Sequence, residues 1–193
     1  MVLAFVSLDG VMQAPGGKGE DPSGGFNLEG WTVPYFDEAM GDEMTKQMSQ
    51  PFDLLLGRKT YEIFASYWPL QSSDDPINKA KKYVVSNEAI KTEWEEMIQI
   101  SGDVVAEIEK LKQQDGPMLQ VHGSTNLIQT LLANDLVDEL WLKVFPVTLG
   151  KGKRLFGEGT IPAAFKLTES KALSSGAIIA SYKRGGEVEL GSF

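Results

Sequence analysis

The apolar and polar positions of this chain change period repeatedly. Short apolar runs read as strands at Val2–Leu8, Asp53–Leu56, Lys82–Ser86, Met97–Ile100, Met118–Val121 and Asp138–Phe145. Between them lie segments of helical period. Phe36, Met40, Met44 and Met48 recur at every fourth position and predict a helix over 36–49 with one apolar stripe facing the core. A helix around Thr60–Tyr67 stops at Trp68-Pro69, since proline restricts the residue before it. Asp103 is placed to cap a helix carrying Val104, Ile108 and Leu111, and Ser124 to cap one carrying Leu127, Ile128, Leu131 and Leu132. The end of the chain changes character. Phe165–Ala172 and Ala177–Tyr182 are strand-like and flank Ser174-Ser175-Gly176, which reads as a hairpin turn. Alternating strands and helices followed by a hairpin predict an α/β fold. Its central sheet is mainly parallel, with flanking helices and a C-terminal antiparallel hairpin. One domain spans 1–184, and 185–193 reads as a tail.

Two stretches depart from this rhythm. Residues 10–30 carry Gly16-Gly17, Gly24-Gly25, Pro15 and Pro22 with no clear period. A loop this long within a compact domain is either functional or a tolerated surface insertion. Residues 149–154, Leu-Gly-Lys-Gly-Lys-Arg, form a basic flexible loop. Its cations Lys151, Lys153 and Arg154 either hold a phosphate or are simply solvated, and solvation is the favoured reading for Lys151 and Lys153.

Composition narrows the classes of function. The 193 residues suit one domain with a sizeable core. Lys and Arg number 18 against 27 Asp and Glu, a net charge of −9, which argues against a nucleic-acid surface. No cysteine is present, which excludes disulfides, thiolate metal sites and thiol nucleophiles. A single histidine makes a histidine-based metal centre a poor expectation, and no metal is expected. No apolar run approaches the ~18 residues of a membrane span, so no membrane partner is expected. The short apolar start runs straight into Asp9-Gly10 and reads as a strand, not a leader; the expected compartment is the cytoplasm.

Against that acidic background, cations at strand ends stand out. The run Phe52–Leu56 stops at Gly57, and Arg58, Lys59 and Thr60 open the next helix. Free backbone N–H groups and the positive helix end then converge with two cations and a hydroxyl, which is a phosphate site in physical terms. Val84-Val85 ends in Ser86-Asn87. Val121 runs into His122-Gly123-Ser124-Thr125 and a second capped helix. Ligands of parallel sheets sit beyond the carboxyl ends of the strands, so three such ends suggest a nucleotide lying across the sheet. No Gly-x-Gly-x-x-Gly run is present, so the site is not a standard Rossmann fingerprint. His122 is either a satisfied strand-end side chain or a contact to cofactor or substrate. Asp9 ends the first strand and Asp37 opens the Met-striped helix. Each is either a local device, a turn and a cap, or a carboxylate reaching the cleft.

The ordered set of motifs resembles the dihydrofolate reductase superfamily. It is most similar to the reductase domain at the C-terminus of bifunctional riboflavin-biosynthesis proteins, the RibD C-terminal type. Ser7-Leu8-Asp9-Gly10 resembles that family's first-strand motif. Leu56-Gly57-Arg58-Lys59-Thr60-Tyr61-Glu62 resembles the Gly-Arg-x-Thr-x-Glu segment of dihydrofolate reductases. Asp138-Glu139-Leu140 followed by Pro146 to Phe156 resembles the riboflavin-type ending. The match covers about residues 2–183. It implies an NADPH-dependent reductase acting on a small heterocyclic substrate, pyrimidine- or pterin-like, such as 5-amino-6-(5-phosphoribosylamino)uracil. The alternatives are a dihydrofolate reductase and a nucleotide-binding module without catalysis. Carried over by position, Gly57, Arg58, Lys59 and Thr60 meet the cofactor phosphates, and Ser86 and Asn87 lie near its adenosine end. Gly123, Ser124 and Thr125, with His122 beside them, meet the pyrophosphate. Segment 10–30 becomes a mobile loop over the nicotinamide, and Asp9 and Asp37 become the catalytic carboxylates. The resemblance also implies a homodimer. Two departures stand out: the family's Gly-Gly pair falls on His122-Gly123, so a histidine would narrow the cofactor groove. Asp37 follows Trp31-Thr32-Val33-Pro34 one residue later than the substrate carboxylate of dihydrofolate reductases.

Overall fold

The computed structural model describes residues 1–91 and 94–192; Phe193, the end of the expected tail, lies outside them. Eight strands form one sheet in the order β4-β3-β2-β5-β1-β6-β8-β7. They are β1 (Val2–Ser7), β2 (Phe52–Gly57), β3 (Lys82–Val85), β4 (Met97–Ile100), β5 (Met118–Gly123), β6 (Glu139–Phe145), β7 (Ala164–Ala172) and β8 (Ile178–Gly186). The pairings from β4 across to β6 are parallel. Those of β8 with β6 and β7 are antiparallel. The helices are α1 (Glu38–Gln47), α2 (Arg58–Tyr67), α3 (Pro76–Lys79), α4 (Val104–Lys112) and α5 (Thr125–Ala133). This is the expected architecture. Two details differ: β8 runs on to Gly186, through the expected tail boundary, and the single-turn α3, capped by Asp75, was not expected. Four residues are too few to show a helical period.

Alternation along β1 sets the two faces of the sheet. Val2, Ala4 and Val6 join Leu55, Val121, Ile128 and Leu131 in a core on the side of α4 and α5. Phe5 points to the other side, where Phe145, Trp31, Met40 and Phe26 form a second core with α1 and the 10–30 segment. Leu54, Leu56, Tyr61 and Val84 form a third core under α2. Phe145 is fully buried, and its ring meets Phe5, Trp31 and Tyr35 edge-on at centroid distances of 5.6, 5.5 and 6.0 Å. This aromatic knot ties β1 and β6 to the long loop.

The inward face of α1 is not the methionine stripe. Met40 is fully buried, but Phe36 is exposed, and the other buried positions of the helix are Glu43 and Gln47. Steps of four residues advance about 40° beyond a full turn, so a stripe at that spacing walks around the helix. The two buried polar residues meet buried or bridging cations of the sheet. Gln47 Oε1 accepts from Lys143 Nζ, and Glu43 pairs with Lys171 at 2.9 Å. No helix among the described residues is long and apolar enough to cross a membrane.

Phe145→Ala removes the centre of the aromatic knot and leaves a cavity. The expected loss of stability is about 3–5 kcal/mol, read from urea unfolding midpoints at unchanged slope.

Candidate functional site

The carboxyl ends of β2 and β5 lie side by side, with Leu56 in register with Gly123. Each strand turns directly into a helix there. Gly57 is the N-cap of α2, and Ser124 is the N-cap of α5, its Oγ accepting from Leu127 N at 3.4 Å. The junctions approach so closely that neither glycine has room for a side chain. A Cβ on Gly57 would stand 2.2 Å from Ser124 Oγ. One on Gly123, whose φ is +153°, would stand 2.6 Å from Thr60 Oγ1. The Gly123–Ser124 peptide is cis. Two helix N-termini, from helices of ten and nine residues, therefore open at one point.

Two cavities meet at this point. An outer groove of ≈ 450 Å³ is lined by Gly57, Arg58, Lys59, Ser86, Asn87, Glu88, Ser124 and Asn126, among others. An inner cavity of ≈ 260 Å³ runs beneath α1 and α2. Its lining includes Thr60, His122, Gly123, Thr125, Lys143, Gln47, Phe5, Phe64, Trp68 and, from the long loop, Gln13, Glu20 and Asp21. Lys59 and Ser124 line both cavities.

All ten residues expected around a nucleotide border one or both spaces, but several already have partners. Arg58 donates to Glu62 Oε1 at 2.9 Å and lies 3.4 Å from Glu88 Oε2. Ser86 Oγ donates to Glu88 O and accepts from Glu88 N, shaping its own turn, and Asn87 Oδ1 accepts from Gly102 N, tying that turn to the segment after β4. The His122 ring does not narrow the outer groove. It turns into the inner cavity, 5.7 Å from the Phe64 ring, with Nε2 3.2 Å from Gln120 Oε1. Burial, reinforced by the neighbouring Lys143 charge, depresses its pKa to about 3, so the ring is neutral at physiological pH.

Neither of the two expected cleft carboxylates is among the residues that line the two cavities. Asp9 accepts from Ser7 Oγ, from Leu149 N at 3.0 Å and from Gly150 N at 2.7 Å. Arg154 donates to its main-chain oxygen. The Ser7 and backbone donors hold its carboxyl down at about 2. Asp37 is the half-buried N-cap of α1, accepting from Met40 N at 2.9 Å and from Ser174 Oγ at 2.9 Å, and these donors lower its pKa. In both positions nearby N–H and O–H groups claim the carboxylate more strongly than the cleft does.

The 10–30 segment is held down along its length. Val11, Phe26 and Trp31 are buried. Gln13 Nε2 donates to the carbonyls of Asp21 and Ser23, and Trp31 Nε1 donates to Gln13 O. Glu20 accepts from Gly16 N and Gly17 N; burial raises its pKa despite those bonds. Asp21 forms a clamp: Oδ1 lies 2.7 Å from Lys59 Nζ, and Oδ2 lies 2.7 Å from Lys153 Nζ. Burial acts to raise the Asp21 pKa, but hydrogen bonds from Lys153, Lys59 and Ser23 outweigh it and hold the carboxyl far below the usual range. Lys153 is thus a cavity residue and not a solvated loop cation.

Sequence reasoning passed over Lys143. It is fully buried on β6, its Nζ 2.5 Å from Gln47 Oε1, 5.3 Å from the Phe5 ring centre and 5.6 Å from that of Trp141. Burial pushes its pKa down to about 7, against a smaller raising influence from Glu43. The available signal was a lone cation inside the apolar run Leu140-Trp141-Leu142-Lys143-Val144-Phe145.

The RibD C-terminal domain model matches residues 1–179. The chain belongs to the RibD C-terminal domain family. It is 28% identical over 188 residues to the uncharacterized protein YyaP of Bacillus subtilis (strain 168), covering 94% of this chain and 92% of YyaP. Among solved structures it is similar to a candidate riboflavin biosynthesis protein of Shewanella sp. PV-4, with TM-score 0.67 and 24% identity over 95% of this chain and 97% of that one. Dihydrofolate reductase from Enterococcus faecalis, solved with NADP(H) and the ligand RAB-propyl, matches with TM-score 0.61 and 13% identity over 95% and 94% of the two chains. The fold of this RibD C-terminal domain is therefore that of dihydrofolate reductase.

Lys143 gives this site a pH signature. Its folded pKa lies below its unfolded value, so the unfolded chain binds more protons between about pH 7 and 10.5, and stability rises with pH across that window. Lys143→Met removes this dependence. Its stability relative to the parent is expected to be most favourable at or below pH 7 and to decline by at most about 1.4 kcal/mol per pH unit above that. Urea unfolding of both proteins at pH 6.5 and pH 9.5 measures the difference.

Proposed function

We propose that the chain is an NADPH-dependent reductase that transfers hydride to a pyrimidine- or pterin-like heterocycle. The observation that carries this reading is the junction of the two cavities at paired helix N-termini. The close approach at Gly57 and Gly123 sets the N-termini of α2 and α5 side by side, and their helix dipoles favour a pyrophosphate there, with Leu127 N–H already held by Ser124 Oγ. The outer groove then receives the adenosine half, with Arg58 beside it. The inner cavity receives the nicotinamide half and the acceptor. The membership in the RibD C-terminal family and the dihydrofolate reductase fold support the same division.

The residues present fit such a cofactor, with one condition. Arg58 and Lys59 are each about half exposed and are paired with carboxylates, which a phosphate would replace as partner. The bound nicotinamide would supply the hydride. The protein's own task is to bind, orient and exclude water. Phe5, Ile63, Phe64 and Trp68 wall the inner cavity, and Asp21, Lys59 and Lys153 of the loop clamp also line it. With Asp9 and Asp37 outside the cavity, both are left in turn and capping roles.

Two measurements test this. NADPH and NADH titrations followed by nucleotide fluorescence should show that Arg58→Ala weakens NADPH by about 10-fold or more and NADH by less than about 2-fold. Equal losses would overturn the 2′-phosphate role, and no binding of either nucleotide to the parent would overturn the reductase reading. Asp21→Asn should release Lys59 and tighten NADPH by about 3- to 10-fold, with faster amide exchange from Gly16 to Glu29. Weaker binding would mean that Asp21 organises the site and does not compete for it.

A further inference from the structure

The inner cavity has apolar walls and a polar floor, and the floor comes from two strands that flank β1. Lys143 reaches it from β6 and His122 from β5. Their orientation is fixed by a short chain of hydrogen bonds. Gln120 Nε2 donates to Gln47 O at 3.1 Å, which turns Gln120 Oε1 toward His122. His122 Nε2 must then carry the proton, and Nδ1 offers a lone pair with no hydrogen-bond donor among the described residues. Gln47 is used twice, because its side-chain oxygen also accepts from Lys143. Lys143 Nζ retains further N–H bonds, with the rings of Phe5 and Trp141 beside it and the Glu43 carboxylate near enough to raise its pKa. A donor and an acceptor thus stand in the same cavity, each held in place and each with capacity unspent. Such groups are costly to bury unless a ligand completes them.

We propose that Lys143 and His122 form a recognition pair for a cyclic amide edge of the substrate heterocycle: Lys143 donates to the ring carbonyl oxygen, and His122 Nδ1 accepts from the adjacent ring N–H. This rests on the inner cavity being the acceptor site of the reductase proposed above. Neutral His122 is the state the pairing needs, and burial keeps it so. The pair explains why α1 buries Gln47 where an apolar side chain would pack, since Gln47 orients Lys143 directly and His122 through Gln120. It also sets specificity. An analogue with an amino group in place of the carbonyl brings a donor against the Lys143 ammonium, and sites built on hydrogen bonds reject such mismatches strongly.

The test compares two probes that differ at that edge, pterin (2-amino-4-oxo) and 2,4-diaminopteridine, on the full chain with and without saturating NADPH. Isothermal titration should show pterin bound at least about 10-fold more tightly than the diamino probe. Lys143→Met should weaken pterin by about 10-fold or more and leave the diamino probe no weaker, or tighter, since its clash with the ammonium is removed. His122→Phe, which keeps the ring against Phe64, should weaken pterin by about 5-fold. Lys143→Gln replaces Lys143→Met if thermal melts show that the latter does not fold. Equal affinity for the two probes, binding of neither, unchanged pterin affinity in Lys143→Met, or equal losses for both probes would overturn the pair. If the parent discriminates between the probes but binds no NADPH, the pair stands and the reductase reading falls. If it binds NADPH without discriminating, the pair alone falls.

Discussion

Two strand-to-helix turns share one small volume at the centre of this molecule. β2 and β5 are adjacent and parallel, and each passes into a helix at its carboxyl end. The turns can coexist only if one contributes no side chain at Gly57 and the other none at Gly123. That requirement holds the α2 and α5 N-termini together, with the Ser124 and Thr60 side chains packed against the two glycines. It also sets where the outer groove meets the inner cavity. A longer side chain at either position would separate the junctions, and with them the two halves of the site.

Electrostatics around this point follow from the acidity of the chain. The few cations near the groove are already matched by carboxylates. Arg58 faces Glu62 and Glu88, while Lys59 and Lys153 share Asp21. The exposed Arg58 pairs contribute little to stability, typically about 0–1 kcal/mol, whereas the Asp21 carboxylate is buried. The consequence of these pairs under the proposed function is for binding: an incoming phosphate would exchange one anionic partner for another, and the loop carrying Asp21 would feel that exchange. Lys143 differs because it is buried, with an amide and aromatic rings around it. A charge there carries a desolvation cost that a surface lysine does not.

Much of the architecture follows from local patterning. Val2, Ala4 and Val6 alternate with Leu3 and Phe5, and this alternation places a core on either side of the sheet. Asp103 and Ser124 cap the helices they precede, because a short side-chain oxygen there satisfies a free backbone N–H. The hairpin turn at Ser174-Ser175-Gly176 pairs β7 with β8. Gly57, Arg58, Lys59 and Thr60 were legible for the same reason: a strand, a glycine and a helix start are neighbours in the chain, so their convergence needs no tertiary information.

The sequence by itself therefore determined most of the elements, their order and the mainly parallel sheet, and it marked the strand ends that border the two cavities. Only the tertiary structure decided which side chains enter the site. Asp9 is captured by backbone N–H groups 140 residues away, at Leu149 and Gly150, and Asp37 by its own helix and Ser174. Asp21 meets Lys59 and Lys153, and Lys143 meets Gln47 across 96 residues of chain. Propensity and period report on interactions within a few residues. The partner of a charged or amide side chain is chosen by distance in space, and that distance exists only once the sheet is assembled.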